Sequence, residues 1–295
     1  MRVLLIDLLV ERAEFGHGGN QEVIRPMAKI SNVEVLLVTP QMQSFDAGEK
    51  VRDKPHMKLE EIDVPNWDYD YDFWSESKVE LEGRKINFNR IIMPMNEDEE
   101  EMISWLKKME LDAVVCSGSR RNVSIWEKWM SPTETLFRAA AKSGIPTLGI
   151  CFGHQLLCHS LGSKVERAEK FSSGIWNLEL TKDGENDELL TNHTENIREI
   201  ATLFSHQDHV MSVPKNCTLL SRTSHNDITA IRVNDDLGNP LPAWGIQFHP
   251  EAARKRIERA YGWGHISEEE YKSFRGEHDG SGILSSFAKI VAEKV

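Results

Sequence analysis

The sequence predicts an α/β fold organised around a parallel β-sheet. Val3 to Leu9 and Val33 to Val38 are continuous apolar runs, the pattern of strands that are buried on both faces. Between them, Asn20 to Ile30 places its apolar residues at helical spacing. A strand, a helix and a second strand in this order imply a right-handed crossover, which brings the two strands together in parallel.

The rest of the chain continues this alternation and then becomes richer in strands. Further helices are predicted at 97–109, 136–142, 153–161 and 283–294, and further strands at 112–116, 145–150, 176–180, 200–204, 217–221, 228–233 and 243–248. Polar residues, proline and aromatics interrupt the pattern from about 41 to 89, including an acidic-aromatic run from Asn66 to Trp74. We therefore expect one domain, 1–295, with an insertion at about 41–89 that packs over an edge of the sheet, either as a lid or as a solvated loop.

Composition and charge narrow the range of partners. The formal net charge is −12, from 47 acidic and 35 basic side chains, so nucleic acid is not expected as the main partner, because phosphate binding needs a basic face. No apolar run is long enough to span a bilayer, so no membrane partner is expected either, and the apolar start ends in Asp7 as a first strand would, without a cleavage site. Four cysteines in 295 residues do not make a disulfide framework, which favours a cytoplasmic protein with reduced thiols.

One of these cysteines has the surroundings of a nucleophile. Residues 149–153 read Gly-Ile-Cys-Phe-Gly, the pattern of a nucleophile elbow, in which a cramped strand-to-helix turn leaves no room for a side chain at either glycine. The turn places Cys151 at a helix N-terminus, where the helix dipole favours the thiolate. The backbone N–H of Phe152 is then expected to point towards a developing oxyanion. Taken alone, a structural cysteine behind a strand would explain the same residues.

The second half of the chain supplies partners for that cysteine. His249 follows an apolar strand, and Glu251 stands two residues further on, so that both side chains point the same way if the segment is extended. Pro250 favours an extended conformation at His249. Glu251 can then hold one imidazole nitrogen while the other faces the Cys151 thiol, which is the arrangement of a catalytic triad.

The two motifs together, Gly-Ile-Cys-Phe-Gly-His-Gln at 149–155 and Gln-Phe-His-Pro-Glu at 247–251, resemble those of the class I glutamine amidotransferases. The resemblance covers most of the chain apart from 41–89. It implies a three-layer, flavodoxin-like sandwich with a mostly parallel central sheet. It also implies a γ-glutamyl thioester on Cys151, proton transfer by His249, orientation of His249 by Glu251, and a glutamine pocket that contains Gln155. The run Ser-His-Gln-Asp-His-Val at 205–210 is similar to the branch that includes the amidotransferase domain of GMP synthase.

The turn that would complete the oxyanion hole departs from the family pattern. Many members carry Ser-Gly-Gly-Pro after this strand, whereas residues 117–120 read Ser-Gly-Ser-Arg. Gly118 can still supply a backbone donor, and Ser119 is a candidate substrate contact. The Ser-Gly-Ser form resembles the cytosolic γ-glutamyl peptidases of the same superfamily. His206 and Asp208 are predicted in a loop that borders the substrate pocket; neither a metal site nor a cofactor is expected.

These observations leave three functions open. The first is a glutamine amidotransferase-type hydrolase that releases ammonia from glutamine for a separate acceptor or synthetase chain, since no glycine loop of an ATP-pyrophosphatase domain is present. The second is a stand-alone γ-glutamyl peptidase, which needs no partner chain. The third is a catalytically silent regulatory module on the same fold, although its signature would be the loss of a triad residue and all three are present.

Overall fold

The computed structural model describes residues 1–9, 16–43, 76–197, 199–262, 264 and 266–294. Twelve strands are found in this part of the chain: β1 Arg2–Ile6, β2 Glu34–Val38, β3 Glu76–Leu81, β4 Arg84–Arg90, β5 Ala113–Cys116, β6 Thr147–Ile150, β7 Val165–Asn177, β8 Glu179–Leu180, β9 Ala201–Val210, β10 Cys217–Thr223, β11 Asn226–Asn234 and β12 Pro240–Ile246. Its α-helices are α1 Gly18–Ile30, α2 Pro40–Gln43, α3 Glu99–Met109, α4 Met130–Lys142, α5 Phe152–Ser160, α6 Glu188–Thr191, α7 Arg254–Gly262, α8 Glu268–Ser273 and α9 Gly280–Ala292.

Ten of the described strands form one sheet, in the order β3-β4-β2-β1-β5-β6-β12-β11-β10-β8. The six from β4 to β12 are parallel, and the antiparallel strands lie outside them at both edges. The predicted α/β fold with a mostly parallel central sheet is confirmed. Because the parallel strands share one carboxyl edge, the loops after β1, β5, β6 and β12 meet there, which is where ligands bind in sheets of this kind.

The sheet is buried on both faces, as the apolar runs predict. In β1, Val3 and Leu5 belong to one apolar core, while Leu4 and Ile6 belong to the other. Helices α1, α6 and α9 cover the first face, and α3, α4 and α5 cover the second. The alternation along a single strand therefore places a packed layer of helices on each side of the sheet.

The interval predicted as an insertion contributes in part to the sheet itself. Strands β3 and β4 form a hairpin, and β4 pairs in parallel with β2. Residues 76–90 therefore extend the edge of the sheet rather than packing over it. Residues 44–75, including the acidic-aromatic run from Asn66 to Trp74, lie outside the described residues, so the insertion at about 41–89 and the single domain 1–295 stay predictions.

A separate two-stranded ribbon stands beside the carboxyl edge of the sheet. It consists of β7 and β9 in antiparallel register, with Ile175 opposite Leu203 and Ser173 opposite Ser205. The loop predicted for His206 and Asp208 is wrong, since both residues lie on β9. None of the described helices is long and apolar enough to cross a membrane.

Candidate active site

Cys151 lies on a strained turn between β6 and α5. Its backbone has φ 50° and ψ −99°, in a region that L-residues rarely occupy. Its N–H donates to the Ile246 carbonyl at 2.8 Å, which ties the turn to the end of β12. Helix α5 begins at the next residue, so the first N–H groups of the helix open towards the thiol.

Two glycines make this turn possible, as the elbow pattern predicts. A Cβ at Gly149 would stand 2.6 Å from the Gly153 carbonyl oxygen, and a Cβ at Gly153 would stand 2.4 Å from the Cys116 carbonyl oxygen. Both distances are far below van der Waals contact, and the atoms met are backbone. The tight spacing therefore packs the start of α5 directly against the ends of β5 and β6.

His249 and Glu251 meet beside the thiol. The His249 Nδ1 and Glu251 Oε1 atoms are 2.8 Å apart, and the imidazole also interacts with Cys151. The contact between His249 and Glu251 was predicted from the sequence, but the extended backbone that was expected to produce it is not found. The backbone turns at Pro250 and Glu251 instead of continuing the strand, with the Ala253 N–H donating to the Glu251 carbonyl at 2.8 Å. The turn brings the carboxylate back onto the ring.

The charges of this group favour a protonated imidazole. Burial acts to lower the pKa of His249, but the Cys151 thiolate and the Glu251 carboxylate outweigh it and raise that pKa well above its ordinary value of 6.5. One described atom in the group lacks a partner: the buried Oε2 of Glu251 has no hydrogen bond within the described residues. The protonated imidazole is therefore the favoured state of His249.

Gly118 packs against both of these side chains. A Cβ at this position would stand 2.9 Å from His249 Cε1 and 3.8 Å from Cys151 Cβ. Ser117 fixes the turn, since its hydroxyl donates to the Ile6 carbonyl and accepts from the Leu8 N–H, at 3.1 and 3.0 Å. A side chain at position 118 would therefore collide with the His249 ring, which explains the glycine at this turn.

Two buried amide side chains, those of Gln247 and Gln155, connect the Cys151 thiol to strand β9. Gln247 Nε2 donates to Cys151 Sγ at 3.5 Å, and Gln247 Oε1 accepts from Gln155 Nε2 at 3.1 Å. Gln155 Nε2 also donates to the Asp208 carbonyl at 2.8 Å. Gln247 stands in the second motif without a role predicted from sequence. A polar residue inside the otherwise apolar strand predicted at 243–248 was the signal that could have identified it.

A cavity of about 540 Å³ opens over Cys151. All predicted site residues except Gly118 line it: Ser119, Cys151, Phe152, Gln155, His206, Asp208, His249 and Glu251. The volume lies within the range of about 300–1,000 Å³ that is typical of small-molecule sites. Arg120, Arg121 and Arg167 line the cavity as well, together with Glu270.

Asp208 and His206 line this cavity, and both carry buried polar atoms. Asp208 Oδ2 accepts from the Ser124 N–H at 2.8 Å, while its Oδ1 has no partner among the described residues. His206 Nε2 lies 3.2 Å from Asn226 Nδ2, and its Nδ1 is likewise without a described partner. Burial and the nearby His209 and His225 rings lower the pKa of His206 to about 2, so this ring is neutral. Among described residues no group of three or more histidine, cysteine or acidic side chains is suited to hold a metal ion.

An apolar wall of the cavity was not predicted from sequence. It is formed by side chains from the β7–β9 ribbon and from the segment around α7 and α8: Phe171, Leu203, Ala252, Ile257, Ile266 and Phe274. These residues are spread over a hundred positions and each fits the pattern of its own element. No local sequence motif predicts this apolar wall.

Comparison with known proteins agrees with this geometry. The family model described as glutamine amidotransferase class-I matches residues 72–261. A glutamine-hydrolyzing GMP synthase subunit from Pyrococcus abyssi is 32% identical over 190 residues, which cover 64% of this chain and 80% of that protein. The glutamine-hydrolyzing GMP synthase of Thermus thermophilus is 32% identical over 175 residues, but the match spans only 30% of that longer protein.

Solved structures share the fold over nearly the whole chain. A glutamine amidotransferase from Thermotoga maritima superposes with a TM-score of 0.58 at 17% identity, covering 99% of this chain and 98% of that one. A glutamine amidotransferase from Methylobacillus flagellatus gives a TM-score of 0.55 at 16% identity, covering 100% of this chain and 92% of that one. At these identities the likeness concerns the fold alone.

Proposed function

Because this chain belongs to the class I glutamine amidotransferase family, we propose that it hydrolyses the γ-amide of glutamine through a thioester on Cys151 and releases ammonia for a separate acceptor or synthetase chain. The observation that carries the proposal is the convergence of Cys151, His249 and Glu251 at the floor of one cavity, with the imidazole held at 2.8 Å from the carboxylate. Nucleophile, base and orienting group then stand in the order that acyl transfer requires.

The reaction proceeds in two halves. The Cys151 thiolate attacks the γ-carbonyl carbon, and the backbone N–H groups of Phe152 and Gly118 stabilise the oxyanion. His249 gives its proton to the amide nitrogen, the C–N bond breaks and ammonia leaves. A water molecule, deprotonated by His249, then attacks the thioester; the C–S bond breaks and glutamate is released.

The charged groups of the cavity suit the amino-acid end of the substrate. The Oδ1 atom of Asp208, which has no partner among the described residues, can accept a hydrogen bond from the α-ammonium, and the neutral Nδ1–H of His206 can donate to a carboxylate oxygen. Ser119 and Gln155 border the same space. The guanidinium groups of Arg120, Arg121 and Arg167 in the lining can attract the α-carboxylate of glutamine.

The separate acceptor is supported by the description of one relative. The protein from Pyrococcus abyssi, of which the match covers 80%, is a subunit of a glutamine-hydrolyzing GMP synthase. Ammonia released here would then pass to another protein. Glutamine is the proposed small-molecule partner.

Two cysteine variants test this proposal. Purified protein is given glutamine, and ammonia and glutamate are measured with and without a candidate synthetase chain. Cys151→Ala abolishes both products, while Cys217→Ala retains them, because burial raises the pKa of the Cys217 thiol to about 12 and this residue lies outside the cavity. Undiminished glutamine hydrolysis by Cys151→Ala would refute the mechanism.

A second function, γ-glutamyl peptidase, is favoured by one observation. The cavity extends beyond the catalytic group to the apolar wall and to three arginines, which gives room for a leaving group larger than ammonia. In this case the same thioester forms, an amino acid departs in place of ammonia, and no partner chain is required.

A further inference from the structure

The apolar wall belongs to a small core that is separate from the two main ones. Leu203, Ala252, Ile257 and Phe274 pack together as buried residues, with Ile175, Ile266 and Tyr271 around them. The cluster joins β9 of the ribbon to α7, α8 and their connecting segment. Ala252 immediately follows Glu251, so the catalytic turn and this cluster are continuous along the chain.

One side of the cluster faces the cavity that contains the thiol. Leu203, Ala252, Ile257, Ile266 and Phe274 all line it, together with Phe171 from β7. The Phe171 side chain is 52% exposed, which is unusual for a phenylalanine on a strand beside a partly covered apolar cluster. The apolar area that this wall offers to a ligand lies mainly on Phe171 and Ile266, because the other four side chains are 2–6% exposed: Leu203, Ala252, Ile257 and Phe274.

Contact with the apolar wall would not stabilise ammonia as a leaving group. Hydrolysis of glutamine releases a small polar molecule that gains nothing from apolar contact, whereas covering apolar surface stabilises a bound apolar group in proportion to the area buried. The wall and Cys151 line the same cavity, so a group that contacts the wall can belong to the substrate whose carbonyl meets the thiol.

We propose that the apolar wall is a subsite for the leaving group, and that the substrates of this chain include γ-glutamyl peptides whose second residue is apolar, such as leucine or phenylalanine. The inference rests on the proposed thioester chemistry at Cys151. Arg120, Arg121 and Arg167 line the same cavity and place positive charge near the carboxylate of that second residue.

The reaction balances with water as the sole co-reactant. The γ-carbonyl carbon forms a bond to Cys151 Sγ, and the peptide C–N bond breaks. His249 protonates the departing α-amine, so the second residue leaves as a free amino acid. Water then cleaves the thioester, releasing glutamate and restoring the thiol.

Substrate comparison on the full chain tests the subsite. Glutamate release is measured with γ-glutamyl-leucine, γ-glutamyl-glycine and glutamine, and kcat/KM is obtained for each. We expect γ-glutamyl-leucine to exceed γ-glutamyl-glycine by about 10- to 100-fold, the discrimination that a buried aliphatic group gives in an apolar pocket. Phe171→Ala and Ile266→Ala reduce this ratio several-fold. Leu237→Ala, at a side chain that is 87% exposed and outside the cavity, leaves it unchanged.

The outcomes separate the subsite from the underlying chemistry. Intact mass after treatment with an electrophilic glutamine analogue reports whether Cys151 acts as the nucleophile. If Cys151 is labelled and γ-glutamyl-leucine is cleaved no better than γ-glutamyl-glycine, or neither is cleaved, the subsite is wrong and the proposed function stands. If Cys151 is not labelled and no substrate yields glutamate, the proposed function itself fails.

Discussion

At the scale of single residues, the site depends on how Glu251 and Gln247 set the state of the two reacting side chains. Glu251 holds the imidazole of His249 by a 2.8 Å contact and helps to raise its pKa. Gln247 donates to the thiol sulfur and is itself held by Gln155. In the proposed reaction both act through Cys151 and His249, so their removal should change the reaction without closing the cavity.

Replacing Glu251 by glutamine keeps a hydrogen-bond partner but removes a negative charge. The pKa of His249 is raised in the folded protein, so its proton is present below that pKa and is lost as the pH rises through it. We expect kcat/KM to fall on the alkaline side, and Glu251→Gln to move this alkaline limb to lower pH. The pH profile of glutamine hydrolysis checks it.

The carboxylate of Glu258 provides a matched control for the pH profile of Glu251→Gln. Glu258 forms an exposed ion pair with Arg254 at 2.9 Å on α7, and Glu258→Gln should leave the profile in place. An alkaline limb that does not move in Glu251→Gln would show that the carboxylate does not support the imidazolium.

Gln247→Leu removes the donor to the sulfur and retains a similar volume. A hydrogen bond to a charged group contributes about 1.5–3 kcal/mol, so we expect kcat to fall by about 10-fold or more. The rate at which iodoacetamide alkylates Cys151 at neutral pH should fall with it. Equal alkylation rates in variant and wild type, at an unchanged melting temperature, would contradict this role for Gln247.

At the scale of elements, the strand-to-helix turn is the feature on which the site is built. The turn between β6 and α5 exists because Gly149 and Gly153 let backbone approach backbone at distances that a Cβ would forbid. We expect Gly149→Ala to yield little folded protein, since the new Cβ would stand 2.6 Å from a carbonyl oxygen. Soluble yield and circular dichroism report the loss.

Gly262→Ala is the control for that substitution. Gly262 ends α7, and nothing lies within 4 Å of a Cβ placed there. A helical alanine should leave stability unchanged or raise it by about 0.4–1 kcal/mol. If Gly149→Ala folded as well as Gly262→Ala, the close packing at the elbow would not be required.

The elements that carry the chemistry could be predicted from local patterns, and those that shape the cavity could not. The apolar runs of β1 and β2 and the Gly-x-Cys-x-Gly spacing identify buried strands and an elbow within a few residues. The contact of His249 with Glu251 was predicted for a wrong reason, since the backbone turns at Pro250 instead of extending. Ribbon strand β7 lacks a clear alternation because only two of its 13 residues are buried. The apolar wall arises from tertiary contacts between residues 171 and 274 and has no local signature.

At the scale of the whole molecule, several histidines are buried without charge. Burial is the first cause that lowers the pKa of His154 and His225 from 6.5 to about 4 and of His206 to about 2. The unfolded chain takes up protons at these sites below pH 6.5, whereas the folded protein does so only at lower pH. Stability therefore decreases as the pH falls from 6.5 towards 4.

Urea unfolding at pH 7.5, 6.0 and 5.0 measures this effect. Each proton that only the unfolded chain takes up contributes a slope of about 1.4 kcal/mol per pH unit. We expect the free energy of unfolding to fall below pH 6.5. In His154→Gln its slope against pH should be smaller by the contribution of one proton, about 1.4 kcal/mol per pH unit. A free energy that stays constant from pH 7.5 to 5.0 would contradict the burial of neutral histidines.

The central claim is that Cys151 becomes acylated during turnover. Protein mixed with glutamine and quenched in acid within the first turnovers is digested, and the peptide that contains Cys151 is examined by mass spectrometry. We predict a γ-glutamyl adduct on that peptide in the wild type, its absence in Cys151→Ala and its presence in Cys217→Ala. Glutamine hydrolysis that proceeds with no adduct on Cys151 in acid-quenched samples and at full rate in Cys151→Ala would contradict the account.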